Sequence, residues 1–228
     1  VVRFGVAEHL YGADAISAYR QGYSPVFTDR KLVRRVIVTL GDNVASVMCE
    51  LSQNRKYEAL ENILKVKVKQ EFFNGKNLAD GICDFTARPN IFIAAYAYPE
   101  FLSKWEWEAC FANSLKSIWL EWGGLSTIDK SSPLYSSEHT GENVKSYHRG
   151  DSWFWINNLA AIVLSRANKS RFKNEIKQIA QASTEEILWK GCAGCHSELS
   201  PARELSGKGC FSQAWSSAMY LEMIDEIY

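Results

Sequence analysis

Residues 104–124, KWEWEACFANSLKSIWLEWGG, decide the fold class. Trp107, Phe111, Leu115, Ile118 and Trp122 recur at steps of three and four, the spacing of one face of an α-helix. The Gly123-Gly124 pair then stops the pattern, since glycine favours helix ends. The same rhythm extends in both directions. Upstream, Val33, Val36, Leu40, Val44, Val47 and Leu51 form one apolar stripe, and Tyr57, Leu60, Leu64, Val68 and Phe72 form another. Downstream come Phe172, Ile176, Ile179 and Ala180, then Ala214, Ala218, Leu221, Ile224 and Tyr228. Shorter helices are expected over 90–98, opened by Pro89, and over 152–167, with Asp151-Ser152 as N-cap candidates. No segment shows convincing strand alternation. The expectation is one all-α domain spanning residues 1–228, with about seven or eight helices legible.

Two segments break the pattern. Residues 123–151 (GGLSTIDKSSPLYSSEHTGENVKSYHRGD) and 191–211 (GCAGCHSELSPARELSGKGCF) are long, polar and rich in glycine. Loops of this length inside a compact domain are usually functional or disordered. Both carry residues suited to chemistry, so both are expected at one end of the helices.

Composition narrows the classes of function. The 228 residues hold 26 Lys+Arg against 26 Asp+Glu, a net charge of zero, which argues against a dedicated nucleic-acid binder or a polybasic membrane-surface protein. No apolar run approaches the roughly 18 residues of a membrane span. The opening VVRFGVAEHLYG lacks signal-peptide architecture. Six cysteines in a chain this long do not make a disulfide scaffold, and Cys49 and Cys110 fall within apolar helical patterns, so a reduced, cytoplasmic setting is the expectation. Aromatic residues make up 13% of the chain, with Trp clustered in WEW, WLEW and WFW. Indole faces fill helical cores, and they also suit the C–H surfaces of sugar rings.

Three constellations compete for a function. Cys192-Ala193-Gly194-Cys195-His196 has the C-x-x-C-H spacing of c-type haem attachment, and with Cys210 it has the donors of a tetrahedral zinc site. Its third reading is a set of cysteines that happen to occupy a surface loop. Glu198 lies in a loop among polar neighbours, where a carboxylate has access to hydrogen-bond partners. The run Tyr147-His148-Arg149-Gly150-Asp151-Ser152-Trp153-Phe154-Trp155 joins the first polar loop to the following helix.

Taken in order, Arg88-Pro89-Asn90, Gly124-Leu125-Ser126-Thr127, Pro133-Leu134-Tyr135, Tyr147-His148-x-Gly150-x-x-Trp153-x-Trp155, Ser197-Glu198-Leu199 and Cys210-Phe211-Ser212-Gln213-Ala214-Trp215-Ser216 resemble the amylo-α-1,6-glucosidase domain of glycogen debranching enzymes. The resemblance covers residues 80–228. It departs at Phe154, where the family usually has Pro, and at Ser126, where it has Arg.

The resemblance implies an (α/α)6-type helical toroid, with hydrolysis of α-1,6-linked glucosyl residues by inversion and without metal or cofactor. Glu198 would be the general base. Asp14, in a degraded version of the family's acid segment (Tyr11–Asp14, then Pro25–Arg30), would be the general acid. Tyr147, His148 and Trp153 would line the glucose pocket, backed by Gln213 and Trp215. A complete toroid of six helical hairpins needs more helices than are legible, so the expectation is an incomplete one, a C-terminal fragment or a shortened relative. The rival readings are a relative that binds glucan without hydrolysing it, and a haem or zinc protein built on Cys192, Cys195 and His196.

Overall fold

The computed structural model describes residues 55–81, 83–141 and 145–228. The helix expected over 33–51 lies outside them, as does Asp14. Among the described residues the fold is mostly helical, with six α-helices: α1 (Arg55–Phe72), α2 (Asn90–Ala97), α3 (Lys104–Ile118), α4 (Phe154–Asn168), α5 (Lys173–Glu185) and α6 (Ala214–Ile227). A single 3-10 turn, Pro99–Phe101, joins α2 to α3, and a π-helical segment, Glu186–Lys190, extends α5. None of these helices is long and apolar enough to cross a membrane.

Helix α4 is the centre. Twelve of its fifteen residues are buried, including Ala160, Ala161, Ile162 and Leu164. A helix apolar on all sides must be covered on all sides. Helices α2, α3, α5 and α6 do this, with α6 and α5 making the broadest contacts. The small side chains of Ala160 and Ala161 allow neighbouring backbones to come close. Against this helix an aromatic stack joins three elements: Phe92 on Phe111 at 5.0 Å, Trp107 on Phe111 at 5.6 Å, and the edge of Phe172 at 6.4 Å.

Local chemistry sets the boundaries. Ser103 caps α3 in a reciprocal box with Glu106, whose carboxylate also meets Lys69 of α1 at 2.8 Å. The other end differs from the expected stop at Gly123-Gly124, because α3 finishes at Ile118. Trp119 turns extended and bridges Leu125, and the returning Ser126 N–H donates to the Ile118 carbonyl at 2.8 Å. The chain therefore doubles back onto the helix end and satisfies it, so the apolar spacing outlasts the helix by one turn.

The expected absence of strands is also corrected. Ser152–Trp153 (β1) pairs antiparallel with Leu199–Ser200 (β2), Ser152 opposite Ser200 and Trp153 opposite Leu199. Because Ser152 belongs to this ladder, α4 opens at Phe154 with Trp153 in the cap position. The Ser152 hydroxyl instead accepts from the Leu125 N–H at 3.0 Å. Two residues per strand are too few to show a period of two. The pairing joins the two polar loops directly, at one end of α4.

Removing the central packing should be costly. Ile162 is fully buried, and Ile162→Ala should lower stability by about 2–5 kcal/mol through lost contacts and a residual cavity. Urea unfolding should show a lower midpoint with an unchanged slope; an unchanged midpoint would mean α4 is not the core helix.

Candidate active site

Glu198 immediately precedes β2, and its backbone is bound on both sides. Its N–H donates to the Cys210 carbonyl at 2.8 Å, and its carbonyl accepts from the Phe154 N–H at 3.3 Å. The side chain is equally fixed. One carboxylate oxygen accepts from the Tyr147 hydroxyl, and the other accepts from the Cys210 N–H at 2.9 Å. Gly209 makes the second contact possible. Its φ of +67° suits glycine, and a Cβ there would lie 2.4 Å from the Glu198 carboxylate. Glu198 is thus half-buried and oriented by both loops.

The aromatic residues named from the sequence assemble beside it. Trp153 donates its indole N–H to the Tyr147 carbonyl at 2.9 Å. The Tyr147 ring meets the Trp153 ring edge-on at 4.6 Å, while His148 stacks nearly parallel on Trp153 at 5.4 Å. Trp215 meets Trp153 at 6.3 Å and stacks on Trp155 at 5.2 Å. The indole nitrogens of Trp155 and Trp215 are buried with no protein acceptor. Gln213 caps α6, and its N–H donates to the His196 carbonyl at 2.8 Å, so it stands at the same end through its backbone. Asp14 lies outside the described residues.

Burial, reinforced by the bond to Glu198, pushes the Tyr147 phenol well above its ordinary range, so it remains a donor. Asp151 is fully buried, and this raises its carboxyl against the opposing bonds from His139 and Ser146, each at 2.8 Å. The charge of Glu198 raises it further.

Two organising residues were not among the site candidates. Asp151 ties the middle of the first loop to its end through His139 and Ser146. Arg88 donates to the carbonyls of Thr127 and His148, at 3.0 and 3.1 Å. It thereby joins three of the sequence motifs through one side chain. The Arg-Pro-Asn motif marked the position of Arg88, but nothing in the sequence showed what it would bind.

The cysteine–histidine motif does not converge on a metal. Cys192 is exposed and Cys195 partly so, in a turn closed by the Cys195 N–H to the Cys192 carbonyl at 2.8 Å. His196 points the opposite way, into the interior. Its Nδ1 lies 2.6 Å from Glu186 and its Nε2 lies 3.1 Å from Asn158. The exposed Cys210 directs its thiol to the Ser212 carbonyl. Among the described residues, no group of three or more His, Cys, Asp or Glu side chains is arranged to hold a metal ion.

His148 links the site to pH. Burial, aided by the charges of Arg88 and Arg149, pushes its imidazole down to about 4 from an ordinary 6.5. Between those values the unfolded chain binds a proton that the fold does not, so stability falls as pH drops through that window. His148→Gln should therefore lose less thermal stability than the wild type between about pH 7 and pH 5. Equal losses would assign the effect to another group.

A family model described as amylo-alpha-1,6-glucosidase matches residues 28–222, which include every described site residue above. The comparison with curated proteins returns no match. The match extends over most of the chain, and the chain belongs to the amylo-alpha-1,6-glucosidase family of glycogen debranching domains.

Proposed function

We propose that this chain hydrolyses α-1,6-linked glucosyl branch residues of glycogen-type glucans, by inversion, with Glu198 as general base. The observation that carries the reading is the carboxylate of Glu198, held by Tyr147 and by the Cys210 N–H beside a wall of aromatic rings. A carboxylate offers about four lone-pair sites. Tyr147 and Cys210 occupy two, leaving the others to accept a proton from water as the glycosidic bond breaks. Two orienting bonds restrict the rotamers from which that proton is taken. Inversion uses a second carboxyl on the opposite side of the bond, roughly 6.5–9.5 Å away, as general acid. Asp14 is the proposed acid.

Trp153, Tyr147 and His148 line the glucose pocket, the rings meeting the C–H face of the sugar. Gln213 and Trp215 back it. A neutral His148 offers the sugar hydroxyls a polar edge without bringing a charge into the wall. The reaction runs without metal or cofactor. The helices form part of an (α/α)6-type toroid within a single domain over 1–228, and the protein works in the cytoplasm on branched glucans, with neither nucleic acid nor membrane as partner. Support for the glucan substrate comes from the family and from the aromatic character of the wall.

Glu198→Gln keeps the shape of the side chain but cannot take up the proton. On a glucosyl-branched oligosaccharide, turnover should fall about 10²–10⁴-fold while sugar binding persists. Proton NMR of the early product should show β-glucose, the anomer released by inversion of an α-linkage. Asp14→Asn should give a loss of similar order. Wild-type turnover in Glu198→Gln would remove Glu198 from the mechanism, and binding without any hydrolysis by the wild type would favour a glucan-binding role.

A further inference from the structure

Behind Glu198 lies a buried polar cluster that the proposed chemistry leaves unused. Glu186, Asn158, Ser183, His196 and Ser197 are each no more than 2% exposed. They come from four separate elements: the π-helical segment, α4, the end of α5 and the loop before β2.

The hydrogen bonds fix the protonation of His196. The Ser216 backbone carbonyl can only accept, and it faces the Asn158 side chain at 3.3 Å. The atom of Asn158 facing it must therefore be the amide nitrogen. That orientation leaves the amide oxygen to accept from the Ser183 hydroxyl at 2.7 Å. The same nitrogen meets Nε2 of His196, so Nε2 is the acceptor there. The imidazole is then neutral, and its proton is on Nδ1, donated to the Glu186 carboxylate at 2.6 Å. Glu186 also accepts from the Ser197 N–H, which lies 3.3 and 3.4 Å from its two oxygens. Both donors come from the two residues that immediately precede Glu198.

Two glycines pack closely against this carboxylate. A Cβ on Gly191 would lie 2.0 Å from Glu186 Oε1, and one on Gly207 would lie 2.6 Å from it and 2.4 Å from Ser197 Oγ. Glu186 also opens the π-helical segment, whose widened turn differs from the α-helix before it. Such segments recur at functional sites. Here the segment buries Glu186 while leaving Leu188 and Trp189 exposed.

We propose that Glu186 and His196 are positioning residues for Glu198. The buried carboxylate grips the imidazole and the Ser197 peptide, and so sets where the next residue presents its carboxylate to water. The C-x-x-C-H histidine then serves the base and not a metal or a haem. The inference rests on the reading of Glu198 as general base. A misplacement of about 1 Å at a reacting group costs on the order of 10²-fold in rate, so a loosened loop should register in turnover.

The test uses the full chain on the branched oligosaccharide. Glu186→Gln should cut kcat about 10- to 100-fold with KM nearly unchanged. In the Glu198→Gln background it should cause no further loss, because a residue acting through Glu198 has nothing left to position. Gly207→Ala, which removes no buried group and crowds the Glu186–Ser197 contact, should give the same kcat-only loss if Glu186→Gln does not fold. In the wild type, nitrogen NMR near neutral pH should show His196 protonated at Nδ1 and bare at Nε2. Wild-type kcat in folded Glu186→Gln or Gly207→Ala overturns the proposal, as do losses that add in the double variant or a proton on Nε2. Wild-type activity in Glu198→Gln instead overturns the base assignment beneath it, so the two failures are told apart.

Discussion

The pairing of two residues with two others holds the functional end of this molecule together. Ser152 and Trp153 are opposite Ser200 and Leu199, a register that sets Trp153 beside the residue that follows Glu198. A shift of one residue would turn Trp153 to the opposite side of the ladder and separate Glu198 from Tyr147. So short a ladder does not stand alone. It is held by the burial of α4 directly after it, and by the return of residues 208–213 along the other side of Glu198. The core thus acts on the site through a very small sheet.

The helices were legible because their apolar spacing is dictated by burial. Helix α2 and the last helix occupy almost the spans their stripes indicate. The end of α3 was not legible, since Trp122 continues the spacing in a turn. Its indole N–H donates to the Ala202 carbonyl at 3.0 Å, a contact that depends on a chain segment distant in sequence. Strands β1 and β2 were hidden for a related reason: their alternation is shorter than any pattern can be. The grouping of Glu198 with Tyr147, Trp153 and Trp215 was carried by the ordered motifs. Their order indicated a common site, and the physical link is the loop pairing, which no local pattern encodes.

His196 shows how spacing can mislead. The interval from Cys192 to His196 is one that metals and haem use, but spacing does not give direction. The turn at Cys192–Cys195 leaves the thiols toward solvent, and the next residue enters the interior to meet Glu186. Sequence separation between Glu186 and His196 is ten residues, with a π-helical segment between them that propensity does not signal. The role of Asp151 is hidden in the sequence for the opposite reason. It reads as an N-cap, where an acidic residue is commonplace, and its role depends on His139 and Ser146, which reach it from within the same loop.

Arg88 has a consequence for how this protein can change. One guanidinium nitrogen, Nη1, donates to the carbonyls of Thr127 and His148 at once, while Nε lies 3.5 Å from the Asp80 carboxylate, a planar spread of contacts that the point charge of Lys does not reproduce. Main-chain carbonyls exist whatever residue occupies the position, so this clamp does not depend on the side chains at 127 and 148. Length is another matter. An added or deleted residue beside either carbonyl would displace one acceptor relative to the other, and Nη1 would lose one of its two bonds. The clamp is therefore indifferent to side-chain identity at these two positions and sensitive to the length of chain beside them.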